Sequence, residues 1–171
     1  LMLPSVNADN VITPGTTLRV LPGTSLASLN NLVVKNGATL YNTGSLILKK
    51  NLTNETVTPN AIGTGTVEFS GTTTQSINGE NIIVNLRVNN ATGITIGGNT
   101  TVNGSLALTT GNVTLGSNNL LLGPSATLNT GQTGTYVIPT GSGELRKEFN
   151  DDFPPPNNGF VFPVGDDTGT P

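Results

Sequence analysis

The chain has 171 residues, a formal charge of −3 and a pI near 4.7, and only 10% of its residues are charged and 4% aromatic. It has room for one domain and the start of a second. Cys, His and Trp are all absent, which excludes a disulfide framework, a His- or Cys-based catalytic pair, and zinc held by His or Cys.

The acidic balance argues against nucleic acid, whose phosphates demand a basic face. Apolar runs stop at four or five residues, as in Asn119-Leu120-Leu121-Leu122-Gly123, so no stretch reads as a membrane span. Residues 1–12 lack the basic start and apolar core of a signal peptide, and the chain reads as a piece of a longer, processed polypeptide. Low charge with 34% hydrophobic residues points away from disorder. Gly, Thr and Asn together make up about two-fifths of the chain, far from the ordinary globular mix.

Taken in chain order, the sequence is a succession of period-two apolar pairs. Leu18 and Val20, Leu32 and Val34, Ala38 and Leu40, and Leu46 and Leu48 come first. Val67 and Phe69, Leu86 and Val88, and Ile94 and Ile96 follow. Leu106 and Leu108, Val113 and Leu115, Leu120 and Leu122, and Ala126 and Leu128 complete the series. Each pair predicts one short strand with two inward side chains and a solvent-facing residue between them. No window carries helical spacing free of Gly, Pro and Asn, so no helix longer than a turn is expected. The gaps hold turn chemistry: Asn36-Gly37, Thr43-Gly44, Asn78-Gly79, Asn103-Gly104, Thr110-Gly111 and Asn129-Thr130-Gly131.

From residue 86 onward every third pair returns after about 20 residues, the arithmetic of a β-solenoid coil. Leu86, Leu106 and Ala126 are expected to stack in one column, and Ile94 and Val113 in another. A sandwich or barrel is the rival, but it uses longer strands and more aromatics to fill its core. The expected fold is therefore all-β, a parallel β-solenoid with coils of about 20 residues, right-handed by the general preference of parallel crossovers. Seven or so coils would make a rod roughly 35 Å long.

Two stretches break the rhythm. Residues 49–63 read as an irregular insertion, a loop or strand thrown out from the side of the solenoid. Near Gly141 the composition shifts. Glu144 to Phe149 concentrate charge, and Asn150-Asp151-Asp152 leads into Pro154-Pro155-Pro156, which favours a stiff extended linker. Phe160-Val161-Phe162-Pro163-Val164 then reads as one apolar strand. The expected division is a solenoid over 1–143 and, over 144–171, a charged, Pro-rich junction with the first strand of a following β-sandwich-like module.

Several segments resemble a known family. Gly65-Thr66-Val67-Glu68-Phe69-Ser70-Gly71 with Gln75-Ser76-Ile77-Asn78-Gly79 is similar to the "GTVxFxG…QxIxG" coil of large, secreted, adhesin-like β-helical surface proteins of Bacteroidota. Asn85-Leu86-Arg87-Val88-Asn89-Asn90 resembles their "NLxVNN" strand. Gly104 to Gly111 resembles "GxLxLTxG", and Asn118 to Leu122 resembles "NxLxL". Gly143 to Phe149 and Phe160 to Gly165 resemble their "GxLxRxF…FxFPVG" junction. The resemblance covers roughly residues 64–169. It implies export by the type-nine secretion route and a junction leading into a β-sandwich module. Its motifs carry no catalytic residues, so it implies no active site.

Carboxylates are the only acid–base candidates. Glu68 and Glu80 read as isolated, and a glycosidase pair needs two carboxyls within about 5–10 Å. Asp151-Asp152 and Asp166-Asp167 are the only adjacent pairs, and they read first as solvated loop charges. They are also the candidates for Ca²⁺, with Asp166-Asp167-Thr168-Gly169 the better, since hard cations take oxygen ligands from loops. Glu144, Arg146, Lys147 and Glu148 are expected to form cross-strand charge pairs. Thr72-Thr73-Thr74, Thr100-Thr101 and Thr109-Thr110 raise an ice-binding face, but no Thr-x-Thr recurs at the coil period. The six Asn-x-Ser/Thr triplets, such as Asn51-Leu52-Thr53, are what this composition produces by chance.

The expectation is a non-enzymatic structural or adhesive stalk segment of a large secreted cell-surface protein, with no catalytic residue, no cofactor and no metal beyond the Ca²⁺ candidates. Its partners would be neighbouring modules of the same polypeptide, surface glycans or further copies of itself, with no nucleic acid and no membrane span. A carbohydrate-binding or polysaccharide-degrading β-helix and a self-assembling extracellular filament subunit are the alternatives.

Overall fold

The computed structural model describes residues 8–130, 134–149 and 160–166. Their strands wind as a parallel β-solenoid of three faces. The first coil is β1 (Asn10–Ile12), β2 (Thr17–Val20) and β3 (Ser25–Ser28), and the second is β4 (Leu32–Val34), β5 (Thr39–Asn42) and β6 (Ser45–Leu48). The third is β7 (Leu52–Asn54), β8 (Asn60–Ala61) and β9 (Thr66–Phe69). The fourth and fifth are β10 (Gln75–Asn78) with β11 (Asn81–Asn89), and β12 (Ile94–Gly97) with β13 (Thr100–Thr110). The sixth is β14 (Val113–Thr114), β15 (Leu120–Leu122) and β16 (Thr127–Thr130), followed by β17 (Val137–Ile138) and β18 (Leu145–Lys147).

The first face is one seven-stranded sheet in the order β1-β4-β7-β10-β12-β14-β17. At about 4.8 Å per strand step its stack is about 29 Å tall. The third face runs β3-β6-β9, then through the second halves of β11 and β13 to β16. On the second face β2 pairs β5, and further on β8, the first halves of β11 and β13, β15 and β18 follow one another. Every strand pair is parallel, because each coil repeats the path of the one before.

Register follows the aliphatic pattern. Leu26, Leu46, Val67, Leu86, Leu106 and Leu128 form one inward column, and Ser28, Leu48, Phe69, Val88 and Leu108 its neighbour. Leu46, Leu86 and Leu106 are wholly buried, as is Phe69, and each such side chain contributes about 1.5–3 kcal/mol of burial. Ile94 stacks on Val113 as expected. Leu106, however, stacks on Leu128 and not on Ala126, because the step from Leu106 to Leu128 is longer than the step from Leu86 to Leu106. Ala126 is still buried, but at the corner before β16.

The strands β11 and β13 have 9 and 11 residues and turn the corner between two faces without a break. The sequence predicts a turn at Asn103-Gly104, and the structure makes it a bulge inside β13. Ile83 pairs Val102 and Asn85 pairs Ser105, so Asn103 and Gly104 face the single residue Val84. A Cβ at Gly104 would lie 2.8 Å from Val84 Cγ1 and 2.9 Å from Val84 O, so only glycine lets the two coils close there.

The two irregular stretches also differ from expectation. Residues 49–63 are not an insertion thrown off the solenoid. They supply β7, paired with β4 and β10, and β8, paired with β11. The extra length sits in the turn between those strands, where Val57 is exposed. Nor does the solenoid stop at 143: Leu145 continues the column of Thr100 and Leu120, and Val164 bridges Val137 in parallel on the first face. The triple proline, Asp151 and Asp152 lie outside the described residues, and no β-sandwich module is present among those described. No described helix is long and apolar enough to cross a membrane.

Candidate functional site

Asparagine carries most of the polar organisation, and it does so inside the coils as well as in the turns. Asn42, Asn54 and Asn90 are buried at corners. Each Oδ1 accepts the backbone N–H two residues on, from Gly44, Thr56 and Thr92 at 3.0–3.1 Å, an Asx turn. Each Nδ2 then leaves its own coil segment, donating to Thr66 O, Glu80 O and Thr73 O. Gln75 plays the same part where the third face meets the first. Its Nε2 donates to Leu48 O and Lys50 O, and its Oε1 accepts from Gly71 N and Asn90 Nδ2. These amides give corner backbone groups a side-chain partner, a second one for Leu48 O and Glu80 O, which also accept the Ser70 and Asn60 N–H.

A second set of asparagines ties coil to coil. Asn31, Asn51, Asn99, Asn112 and Asn119 each accept through Oδ1 a backbone N–H from the next coil, at 2.9–3.2 Å. Alternation of apolar residues does not reveal such positions. Their signal in the sequence is the recurrence of Asn at the coil period: Asn31 and Asn51 stand one coil apart, as do Asn99 and Asn119.

The acid–base candidates are dispersed. Asp151, Asp152 and Asp167 lie outside the described residues, while Asp166 closes the described segment 160–166. Among the described residues no three His, Cys, Asp or Glu side chains gather where they could hold a metal. Glu68 is not isolated: it pairs with Arg87 at 3.6 Å, its partner on the next coil of the third face, and accepts from Asn89 Nδ2 at 3.1 Å. The charges near 144 pair along one strand rather than across strands, with Arg146 Nε 2.7 Å from Glu144 Oε2. Thr100, raised above for an outward threonine face, is buried inside the coil.

Lys147 sits at the C-terminal end of the stack. Its Nζ donates to Gly123 O at 2.6 Å and Pro124 O at 2.7 Å, and lies 5.5 and 5.8 Å from the ring centres of Phe149 and Phe160. Burial lowers its pKa below the ordinary lysine value, with Glu148 pulling the other way. Phe160 packs against the lumen core and meets Phe149 and Phe162 edge to face, so an aromatic cluster sits over this end of the core while Leu128 and Leu145 stay half-buried.

The outside of the second face holds a shallow cleft of about 350 Å³ lined by Asn99, Thr101, Asn119, Leu121, Arg146 and Glu148. Thr101, Leu121 and Arg146 are successive members of one outward column. The cleft offers amide, hydroxyl, guanidinium and carboxylate groups around one leucine, which suits hydrogen bonding to a polyol. Comparison of the chain with protein-family models, with curated proteins and with solved structures finds no match.

Proposed function

We propose that this chain is a stalk: a stiff solenoid segment of a large, secreted cell-surface or filament protein. The observation that carries the reading is the unbroken stacking, with one seven-stranded ladder running from β1 to β17 over a shared aliphatic core. In such a stack each coil contacts only its neighbours, so bending must strain backbone hydrogen bonds at every step. A rod of this kind holds whatever it carries at a distance. The resemblance of residues 64–169 to β-helical surface proteins of Bacteroidota supports an extracellular setting, and the absence of Cys suits a chain that folds after export without redox help. Its direct partners are then neighbouring modules of the same polypeptide. Negative-stain imaging of the intact parent protein, on cells and after shearing, is expected to show thin rods. Compact particles would overturn the reading.

The cleft over Asn99 and Asn119 favours a second reading, in which the second face rests on glycans. Binding of neutral oligosaccharides that is lost in Asn119→Ala would support it, and glycan arrays with no retained ligand would remove it.

A further inference from the structure

The two ends of the stack are finished differently. At the C-terminal end Phe160 packs against the core, Lys147 ties down Gly123 and Pro124, and Val164 adds a bridge beyond β17. At the N-terminal end, among the described residues, no coil follows on the outer side of β1–β3. A cavity of about 450 Å³ lies against Ile12, Leu18 and Leu32 with Asn10 and Thr17 beside them, and another of about 290 Å³ lies against Leu18 and Leu26 beside Asn10 and Ser28, which hydrogen-bond to each other at 2.8 Å. Leu18 and Leu26 are half-buried, whereas their successors in the same columns, Leu40 and Leu46, are wholly buried.

Among the described residues the strands at this end, β1, β2 and β3, are paired on one side only. Their sequences, NVI, TLRV and SLAS, hold no proline and no lysine, and Arg19 is the one charge among them, so the edge is lightly guarded. The same coil also exposes Val11, Leu21 and Leu29. What it lacks on its outer side is what it gives the second coil on its inner side: a parallel strand on each face and aliphatic neighbours in the columns of Ile12, Leu18 and Leu26.

We propose that the β1–β3 end is a docking surface for one further parallel coil of the same kind, supplied from upstream in the same polypeptide, with aliphatic side chains seated beneath Leu18 and Leu26. The proposal rests on the stalk reading and continues an interface that every coil step of the solenoid already displays. A second copy of the chain fits this end poorly. Head to head, its edge would meet β1–β3 antiparallel, against the parallel sense of every pair here. Head to tail, it would present the end against which Phe160 packs.

Amide hydrogen exchange on the whole chain, with sedimentation to report its mass, tests the proposal. The β1–β3 amides that face away from β4–β6 are expected to exchange at least about 100-fold faster than those of β11 and β13 in a monomer. In a variant with a second copy of Asn10–Asn31 inserted directly before Asn10, the original β1–β3 should gain that protection and the inserted copy should become the fast-exchanging coil. The insert is one full coil, ending just before Leu32, the residue that pairs Asn10, and so it keeps the register. Protection of β1–β3 already present in the unaltered monomer would mean that the chain closes its own end. Protection in a dimer would make a second copy the occupant. Either result overturns the proposal, as does an insert that leaves the original strands unprotected while β11 and β13 stay protected. Imaging that shows no rod would remove the stalk reading while leaving the exchange result to stand on its own.

Discussion

Along the third face, Leu26, Leu46, Val67, Leu86, Leu106 and Leu128 occupy one column from the first coil to the sixth. Leu106, with a coil on either side, is wholly buried; Leu26, with a coil on one side, is only half-buried. The residue, the strand position and the inward direction are the same. What differs is the number of neighbouring coils, so in this architecture a side chain's contribution is set by its place in the stack more than by its local sequence.

The largest expected effect tests that comparison directly. Leu106→Ala should lower stability by about 2–5 kcal/mol, from lost burial and the cavity left behind, whereas Leu26→Ala should cost less than about 1.5 kcal/mol. Urea unfolding followed by circular dichroism reads both, and equal losses would show that the first coil is closed in solution. Gln75→Ala comes next, at about 1–3 kcal/mol, because Leu48 O, Lys50 O and Gly71 N would all lose their side-chain partner inside a corner. Gln75→Glu, tested beside it, keeps an acceptor for Gly71 but no donor for the carbonyls, and should recover little.

Gly111→Ala is expected to cost about 1–3 kcal/mol. Gly111 has φ +83° and its Cβ would run into Asn90 O on the preceding coil. Alanine at Gly116, which also has positive φ (+60°) but open space around it, should cost less.

The smallest effect concerns the C-terminal end. Burial lowers the Lys147 pKa in the fold, so between that value and the ordinary 10.5 the unfolded chain binds more protons. The stability contributed by this residue therefore rises as pH climbs through that window. The difference in urea midpoint between the chain and Lys147→Met should shift in favour of the chain at alkaline pH, and a shift the other way would mean that the two carbonyl bonds and the rings hold the charged form.

Much of the fold was legible because aliphatic alternation marks an inward face wherever the inward residues are apolar. Leu32 and Val34, Leu86 and Val88, and Ile94 and Ile96 needed nothing more. Legibility failed where the inward residue is polar. In residues 49–63 the buried positions include Asn54 and Asn60, which read as loop residues until the coils beside them are in place. It failed again at Leu145, a single apolar residue among charges, whose role as a strand is set by pairing with Leu120. The cleft of the second face was not legible at all, since Asn99, Asn119 and Arg146 come from three coils.

Side-chain period and composition alone establish that the chain is all-β, that its strands are short and recur with the period of a solenoid coil, and that no His- or Cys-based chemistry is available to these residues. Both are local properties. The folded chain settles where the corners carry buried amides, which charges pair, and how the two described ends of the stack differ. Those depend on contacts between residues a whole coil apart, and small differences in coil length decide which residue meets which.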